Sequence, residues 1–282
     1  MAFSPGIANA ISALFLNESA RERMRRIDFR DAGHGYDAFG MHPSYVALGE
    51  VLVSPLYDRY FRVRSQGHEH LPTTGPAIIA GNHSGNLPID GMMIWLDILR
   101  NTEPPRIARP IADHFVPSLP YLGTLFARGG MVGGSRGNAR TLLDSGEMLM
   151  IFPEGVPGIV KPWSKRYQLQ QFREGHAELA IRHQAPIIPV GVVGGEEQLP
   201  ALFASRRLGK LVGVPIMPIP AVPVPLPVRY HLRYGEPIPV PDEFTPDQAD
   251  DPVVVRETAN RVKRAVADLI ATGLNERNGV FE

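Results

Sequence analysis

The hydrophobic positions of this chain fall into two alternating kinds of pattern. Short apolar runs without charge, Pro76–Ala80, Met148–Phe152 and Pro186–Val193, read as strands buried on both faces, since a half-exposed strand alternates polar with apolar residues. Pro104–Ala112 reads as a further strand, and Arg229–Tyr234 as one that does alternate. Between the runs, apolar residues step by three and four. Leu48, Leu52, Leu56 and Tyr60 mark a helix from Ser44, after which Tyr60–Arg64 turns extended; Ile89, Met92, Met93, Leu96 and Leu99 mark a second helix. Val255, Ala259, Val262, Val266 and Leu269 mark a terminal helix over Pro252–Ala271, and shorter helices are expected after Pro117, over Asn138–Ser145 and over Phe172–Arg182. Strands alternating with helices predict an α/β fold: a single domain whose mixed, mostly parallel sheet is covered by helices on both faces. Residues 5–30 predict N-terminal helices, one amphipathic and one charged, before a loop at Gly33–Pro43. The expected division is a helical extension over 1–43 and one domain over 44–282.

Composition narrows the functional classes. The charged residues balance to a net charge of zero with a pI near 7.2, which leaves no electrostatic footprint for nucleic acid. Cysteine is absent, excluding disulfides, thiolate zinc sites and a thiol nucleophile. No cation precedes the apolar Ile7–Leu16 stretch, and Asn9 and Ser12 interrupt it, so no signal peptide is expected. The longest uncharged apolar stretch, Leu211–Val228, carries six prolines and predicts an irregular or lipid-contacting segment flanked by Arg206, Arg207 and Lys210, not a membrane-spanning helix. His68-Glu69-His70 has metal-ligand spacing but no third ligand; it reads as a surface strand end, and no metal is expected.

Candidate chemistry collects where predicted strands end. Gly81-Asn82-His83 closes one strand, and Asp90 opens the helix after it; a turn through Gly85 and Pro88 would fold Asp90 back toward His83. Such a pair makes the imidazole a general base oriented by the carboxylate. The alternative is a buried histidine at a strand end and an aspartate favouring a helix N-terminus. Arg136 follows a glycine-rich turn, and Phe152-Pro153-Glu154-Gly155 ends another strand, on the edge where open α/β sheets bind ligands.

Taken together, Asn82-His83…Asp90, Gly130-Met131-Val132…Arg136, Phe152-Pro153-Glu154-Gly155 and Ile188-Pro189-Val190 resemble the four blocks of the phospholipid/glycerol acyltransferase superfamily, the lysophosphatidate acyltransferase-like enzymes. The resemblance extends from about Tyr60 to Pro239 and includes Phe172-Arg173-Glu174-Gly175. It implies His83 as catalytic base, Asp90 as its partner, and Arg136, Phe152, Pro153, Glu154 and Gly155 on the acceptor side. The implied reaction moves a fatty acyl group from acyl-CoA or acyl-carrier protein to a hydroxyl of a glycerolipid or lysophospholipid, with no cofactor. Peripheral membrane contact from the cytoplasm is expected. Ser84 through Ile89 make the first block longer than the family's usual spacing, as in a branch with a His-Ser-Gly block. Val156-Pro157 stand where Thr-Arg often follows, leaving Lys161, Lys165 or Arg166 to replace that cation.

Two rival readings have their own signatures. Gly133-Gly134-Ser135-Arg136-Gly137 matches a serine-hydrolase nucleophile turn, with His176, His183 or His231 downstream; this predicts an esterase or lipase built on Ser135. A lipid-binding protein without chemistry would use the same apolar surfaces and need no base.

Overall fold

Successive residues of the central strands point to opposite sides, and in this chain both sides are apolar. Ala77, Ile79, Met148, Met150, Ile188 and Val190 belong to one buried cluster, whereas Ile78, Ala80, Leu149 and Ile187 belong to a second. Such runs bury themselves only inside a sheet covered on both faces. A computed structural model of the protein, describing residues 4–83, 87–211 and 213–282, shows that arrangement. The strands are β1 (Arg64–Gln66), β2 (Ala77–Gly81), β3 (Ala108–Ala112), β4 (Val132–Gly133), β5 (Met148–Ile151), β6 (Ile187–Val193), β7 (Ala201–Ser205), β8 (Met217–Pro220) and β9 (His231–Tyr234). Seven form one sheet in the order β1-β9-β6-β2-β5-β3-β4, parallel throughout except for the β6–β9 pair; β7 and β8 form a separate antiparallel pair.

Twelve helices are present among the described residues: α1 (Pro5–Phe15), α2 (Glu18–Arg25), α3 (Pro43–Pro55), α4 (Ile89–Asn101), α5 (Leu122–Arg128), α6 (Arg136–Asp144), α7 (Val156–Ile159), α8 (Gly175–Arg182), α9 (Gly195–Gln198), α10 (Arg206–Leu211), α11 (Val240–Glu243) and α12 (Pro252–Glu276). The apolar stripes of α3 and α4 cover one face of the sheet, and those of α6, α8 and α12 cover the other. The N-terminal helices dock on α3, with Ala8 of α1 against Tyr45 and Leu48, and Ala20 of α2 beside Ala47. Arg109 of β3, buried at 1% exposure, bonds Asp37 Oδ2 at 2.7 Å and the Gly130 carbonyl at 2.7 Å, tying the loop after α2 into the sheet.

The structure departs from the sequence expectation in four places. Leu56–Tyr60 winds into a π-helical turn, so the chain becomes a strand only at Arg64. His68–His70 is a single 3₁₀ turn, and His68 is not a strand-end surface residue. Its Nε2 lies 3.2 Å from Oδ2 of Asp97, a fully buried carboxylate of α4 that also accepts from Tyr57 (2.5 Å) and Ser65 (2.7 Å). Burial pushes the Asp97 carboxyl up, but hydrogen bonds from His68, Tyr57, Ser65 and Tyr234 outweigh it and hold the group below its ordinary value. The helix expected from Phe172 starts at Gly175, because Arg173 donates its N–H to the Pro153 carbonyl at 2.9 Å and holds that stretch out of the helix. The proline-rich stretch from Leu211 contains a strand, β8, which pairs with the unforeseen β7.

Candidate active site

Asn82 fixes the position of everything after it. The β2–β6 ladder ends at Gly81 opposite Val190; beyond it the Asn82 amide takes over, accepting from Val192 N at 2.8 Å and donating to Val192 O at 3.0 Å. The next residue, His83, is thereby delivered at the C-terminal end of a central parallel strand. Its ring stacks on Phe152, the residue after β5, with centroids 4.3 Å apart and planes 14° from parallel.

Asp90, in the first turn of α4, returns to the same point. Its Oδ2 lies 2.7 Å from His83 Nδ1, while Oδ1 accepts the Gly91 N–H at 2.7 Å. The carboxylate is fully buried and the histidine side chain 18% exposed. With Nδ1–H directed at Asp90, the imidazole is held in the tautomer that leaves a lone pair on Nε2, which takes no hydrogen bond among the described residues. Gly85, read as part of the turn that returns Asp90, lies outside the described residues.

Glu154 secures His83 from the other side. Its Oε1 accepts the His83 main-chain N–H at 3.0 Å; its Oε2 accepts Gln170 N at 2.7 Å and Lys161 Nζ at 3.4 Å. Lys161 also donates to Glu196 Oε1 at 2.8 Å, and Glu196 Oε2 accepts Tyr167 N at 2.9 Å. Burial pushes the Glu196 carboxyl up, and the Lys161 ammonium only partly offsets it, so the group stays above its ordinary value. Two buried carboxyl groups thus share one buried ammonium, and the main-chain N–H groups of His83, Gln170 and Tyr167 satisfy their oxygens as well.

Two glycines make this packing possible. Gly155 adopts φ +58° and ψ −151°, a conformation close to glycine-only, and the Arg173 guanidinium lies over it; a Cβ there would sit 3.1 Å from Arg173 Cζ. A Cβ on Gly158 of α7 would come within 3.0 Å of His83 Cβ and 2.9 Å of Glu154 Cβ, so this helix presses on the site without a side chain in the way. On α7's flank lies a cavity of about 390 Å³ lined by Val156, Pro157, Val160, Pro215 and Ile216, with Lys165 and Arg206 at hand. Its size falls in the range of small-ligand sites, roughly 300–1,000 Å³.

The other sequence-nominated residues are placed as follows. Phe152 backs the His83 ring, Pro153 is buried and anchors Arg173, and Glu154 is 1% exposed with both oxygens engaged. Lys161 is buried in the carboxylate pair and is not an exposed cation. Arg136 opens α6 after edge strand β4, exposed and without an ion pair among the described residues. Sequence spacing did not single out Gln170, Glu196 or Gly158, and it named Asn82 only as the residue before His83 in the first block; their contacts are long-range. Arg173, quoted only within Phe-Arg-Glu-Gly, proves to be an exposed guanidinium against the Glu154-Gly155 turn.

Ser135 does not form a hydrolase centre. It caps α6, its Oγ accepting Asn138 N at 3.1 Å, after a strand of two residues. None of the described histidines hydrogen-bonds it: His183 pairs with Asp144, and His176 with the Arg173 carbonyl.

Comparison with known proteins gives the family and the fold. The family model described as Acyltransferase matches residues 62–193, spanning His83, Asp90 and the Phe152–Gly155 block. The chain is 34% identical over 258 residues to an uncharacterized protein of Mycobacterium tuberculosis, covering 88% of this chain and 72% of that one. It is 29% identical over 204 residues to the human protein named DGAT1/2-independent enzyme synthesizing storage lipids, covering 72% of this chain and 59% of that protein. Among solved structures it resembles the 1-acyl-sn-glycerophosphate (LPA) acyltransferase PlsC of Thermotoga maritima, with a TM-score of 0.57 over 98% of this chain and 99% of that one. At 17% identity that likeness is one of fold.

Proposed function

This chain belongs to the phospholipid/glycerol acyltransferase superfamily and is an acyltransferase of lipid metabolism; from that premise we propose that it moves a fatty acyl group from a thioester, acyl-CoA or acyl-carrier protein, to a hydroxyl of a glycerolipid or lysophospholipid. The observation that carries the reading is the 2.7 Å His83–Asp90 contact at the ligand-binding edge of the sheet, with Nε2 taking no hydrogen bond among the described residues. His83 Nε2 takes the proton of the acceptor hydroxyl as its oxygen attacks the thioester carbonyl. Asp90 stabilises the imidazolium that forms. Collapse of the tetrahedral intermediate breaks the C–S bond, and the imidazolium returns the proton to the departing thiolate. Since the chain has no cysteine, no acyl-thiol enzyme intermediate intervenes, and both substrates are bound together during transfer.

The remaining residues take supporting roles in this reading. Phe152 holds the ring plane, and Glu154, buried beneath it, positions the His83 backbone without meeting the acceptor. Lys161, bonded to both Glu154 and Glu196, holds the two side chains in place. With Lys161 buried, Arg173, Arg136 and the exposed Lys165 are cations available for an anionic group on either substrate, and the apolar cavity beside α7 receives an acyl chain. The storage-lipid relatives support a lipid acceptor, and contact with the membrane is peripheral in this reading.

The test is mass spectrometry of products after incubation with labelled acyl-CoA or acyl-carrier protein and a panel of phosphate-bearing and neutral lipid alcohols. The expected product is one labelled ester that disappears in His83→Ala. Free fatty acid as the only product would instead indicate a hydrolase, and lipid retained without any turnover a binding protein.

A further inference from the structure

The stretch from Leu199 to Arg229 leaves the sheet after β6 and returns as β9, and its own two strands pair only with each other. A lone two-stranded pair has too little apolar burial to be content in water. Here it does the opposite of hiding its hydrophobes: Leu202 and Phe203 of β7 are 63% and 58% exposed, Leu211 of α10 is 82% exposed and Val224 62%. The charges on this excursion are all of one sign. No Asp or Glu occurs between Gln198 and Gly235, in a chain whose net charge is zero. Arg206, Arg207 and Lys210 of α10 are exposed and form no ion pair among the described residues. Trp163, 40% exposed, adjoins it across a small crevice shared with Leu199 and Ala201.

We propose that the β7–α10–β8 excursion is a docking surface for an anionic lipid bilayer, its leucines and Phe203 entering the interface while α10 lays its cations against the headgroups. Exposed apolar side chains interleaved with unpaired cations fit a surface that is negative outside and apolar beneath. A second copy of this chain would bring like charges together. The same excursion supplies Arg206, Pro215 and Ile216 to the cavity beside α7, so a lipid taken from the bilayer enters the cavity without crossing water. Among the described residues no helix is long and apolar enough to cross a membrane, so attachment at this surface is peripheral.

The test is co-sedimentation of the full chain with neutral phosphatidylcholine vesicles and with vesicles containing phosphatidylglycerol. Binding is expected on the anionic vesicles and to weaken with added salt. Arg207→Gln with Lys210→Gln, both exposed and without an ion pair among the described residues, is expected to lower the partition coefficient by about tenfold or more, from the loss of two cations near an anionic surface. Leu202→Ser with Phe203→Ser is expected to abolish what remains, with circular dichroism as the check on folding; should that variant misfold, the charge variant and the salt dependence decide. Unchanged binding by the charge variant overturns the proposal. So does binding removed by Leu14→Ser with Phe15→Ser in α1 instead, or a surface that captures acidic acyl-carrier protein and ignores vesicles. The readout is independent of the reaction: vesicle binding without acyl transfer leaves this surface standing and removes the proposed function.

Discussion

Glu154→Gln keeps the shape of the side chain and changes only its hydrogen-bonding capacity, which makes it the sharpest probe of the site's architecture. The native carboxylate accepts from three donors: His83 N at 3.0 Å, Gln170 N at 2.7 Å and Lys161 Nζ at 3.4 Å. An amide offers one accepting oxygen. If that oxygen faces His83, the NH₂ group confronts Gln170 N–H and the Lys161 ammonium, donor against donor; the reverse rotamer strands His83. Each orphaned buried donor costs about 1–3 kcal/mol, and the ammonium more, so a loss of about 2–5 kcal/mol is expected. For a domain of this length that is a fall in Tm on the order of 10 °C. The freed His83 backbone shifts the imidazole, and a misplacement of about 1 Å reduces rate by up to about 10². Thermal melts and steady-state kinetics on one preparation check both effects: Tm falls and kcat falls while KM changes little. A variant with unchanged Tm and a raised KM would refute this reasoning and return Glu154 to direct contact with the acceptor.

Two further predictions concern the same neighbourhood. Gly158→Ala places a methyl 3.0 Å from His83 Cβ and 2.9 Å from Glu154 Cβ, and it is expected to lower kcat by about 10–10² through displacement of the ring and to lower the melt as well; full activity would show that α7 does not press on the base. His176, buried and bonded through Nδ1–H to the Arg173 carbonyl at 2.8 Å, is pushed down to about 4 by burial. The unfolded chain titrates this group near 6.5, so as pH falls from about 6.5 to 4 the unfolded state binds a proton that the folded state refuses; stability declines by up to about 3 kcal/mol over that window. Urea melts across it should show the decline flattened in His176→Gln, and an identical slope in both proteins would contradict the assignment.

The architecture was legible where physics is local. Short uncharged runs such as Ala77–Gly81 and Ile187–Val193, rich in Ile and Val, read as strands covered on both sides, and the step of α12's apolar residues reads as a helix. β7 and α10 were invisible because their apolar residues face outward, so no burial pattern marks them. The same holds for β4, two residues long, and for the π turn at Leu56–Tyr60, where a helical pattern continues through a change of winding.

At the site, His83 and Asp90 could be nominated as a pair because a strand end and the following helix start bring short sequence distances together. The bed beneath them could not. Glu154, Lys161, Gln170 and Glu196 meet through folding of separate segments, and nothing in the spacing of those residues says which carboxylate faces a substrate and which is buried. Lys161 illustrates the difference: as a sequence letter it was a cation available to an acceptor, whereas in the fold both its neighbours are carboxylates. Arg173 had a signal, its place in Phe-Arg-Glu-Gly, but only the Gly155 turn reveals that its guanidinium lies at the site.

The central claim is that the imidazole at position 83 removes the acceptor's proton, and turnover of an acyl thioester with a lipid alcohol by purified, folded His83→Ala tests it most directly. The account predicts a loss of about 10²–10⁴ in rate, the scale for a general base. Turnover near that of the wild-type protein would contradict it.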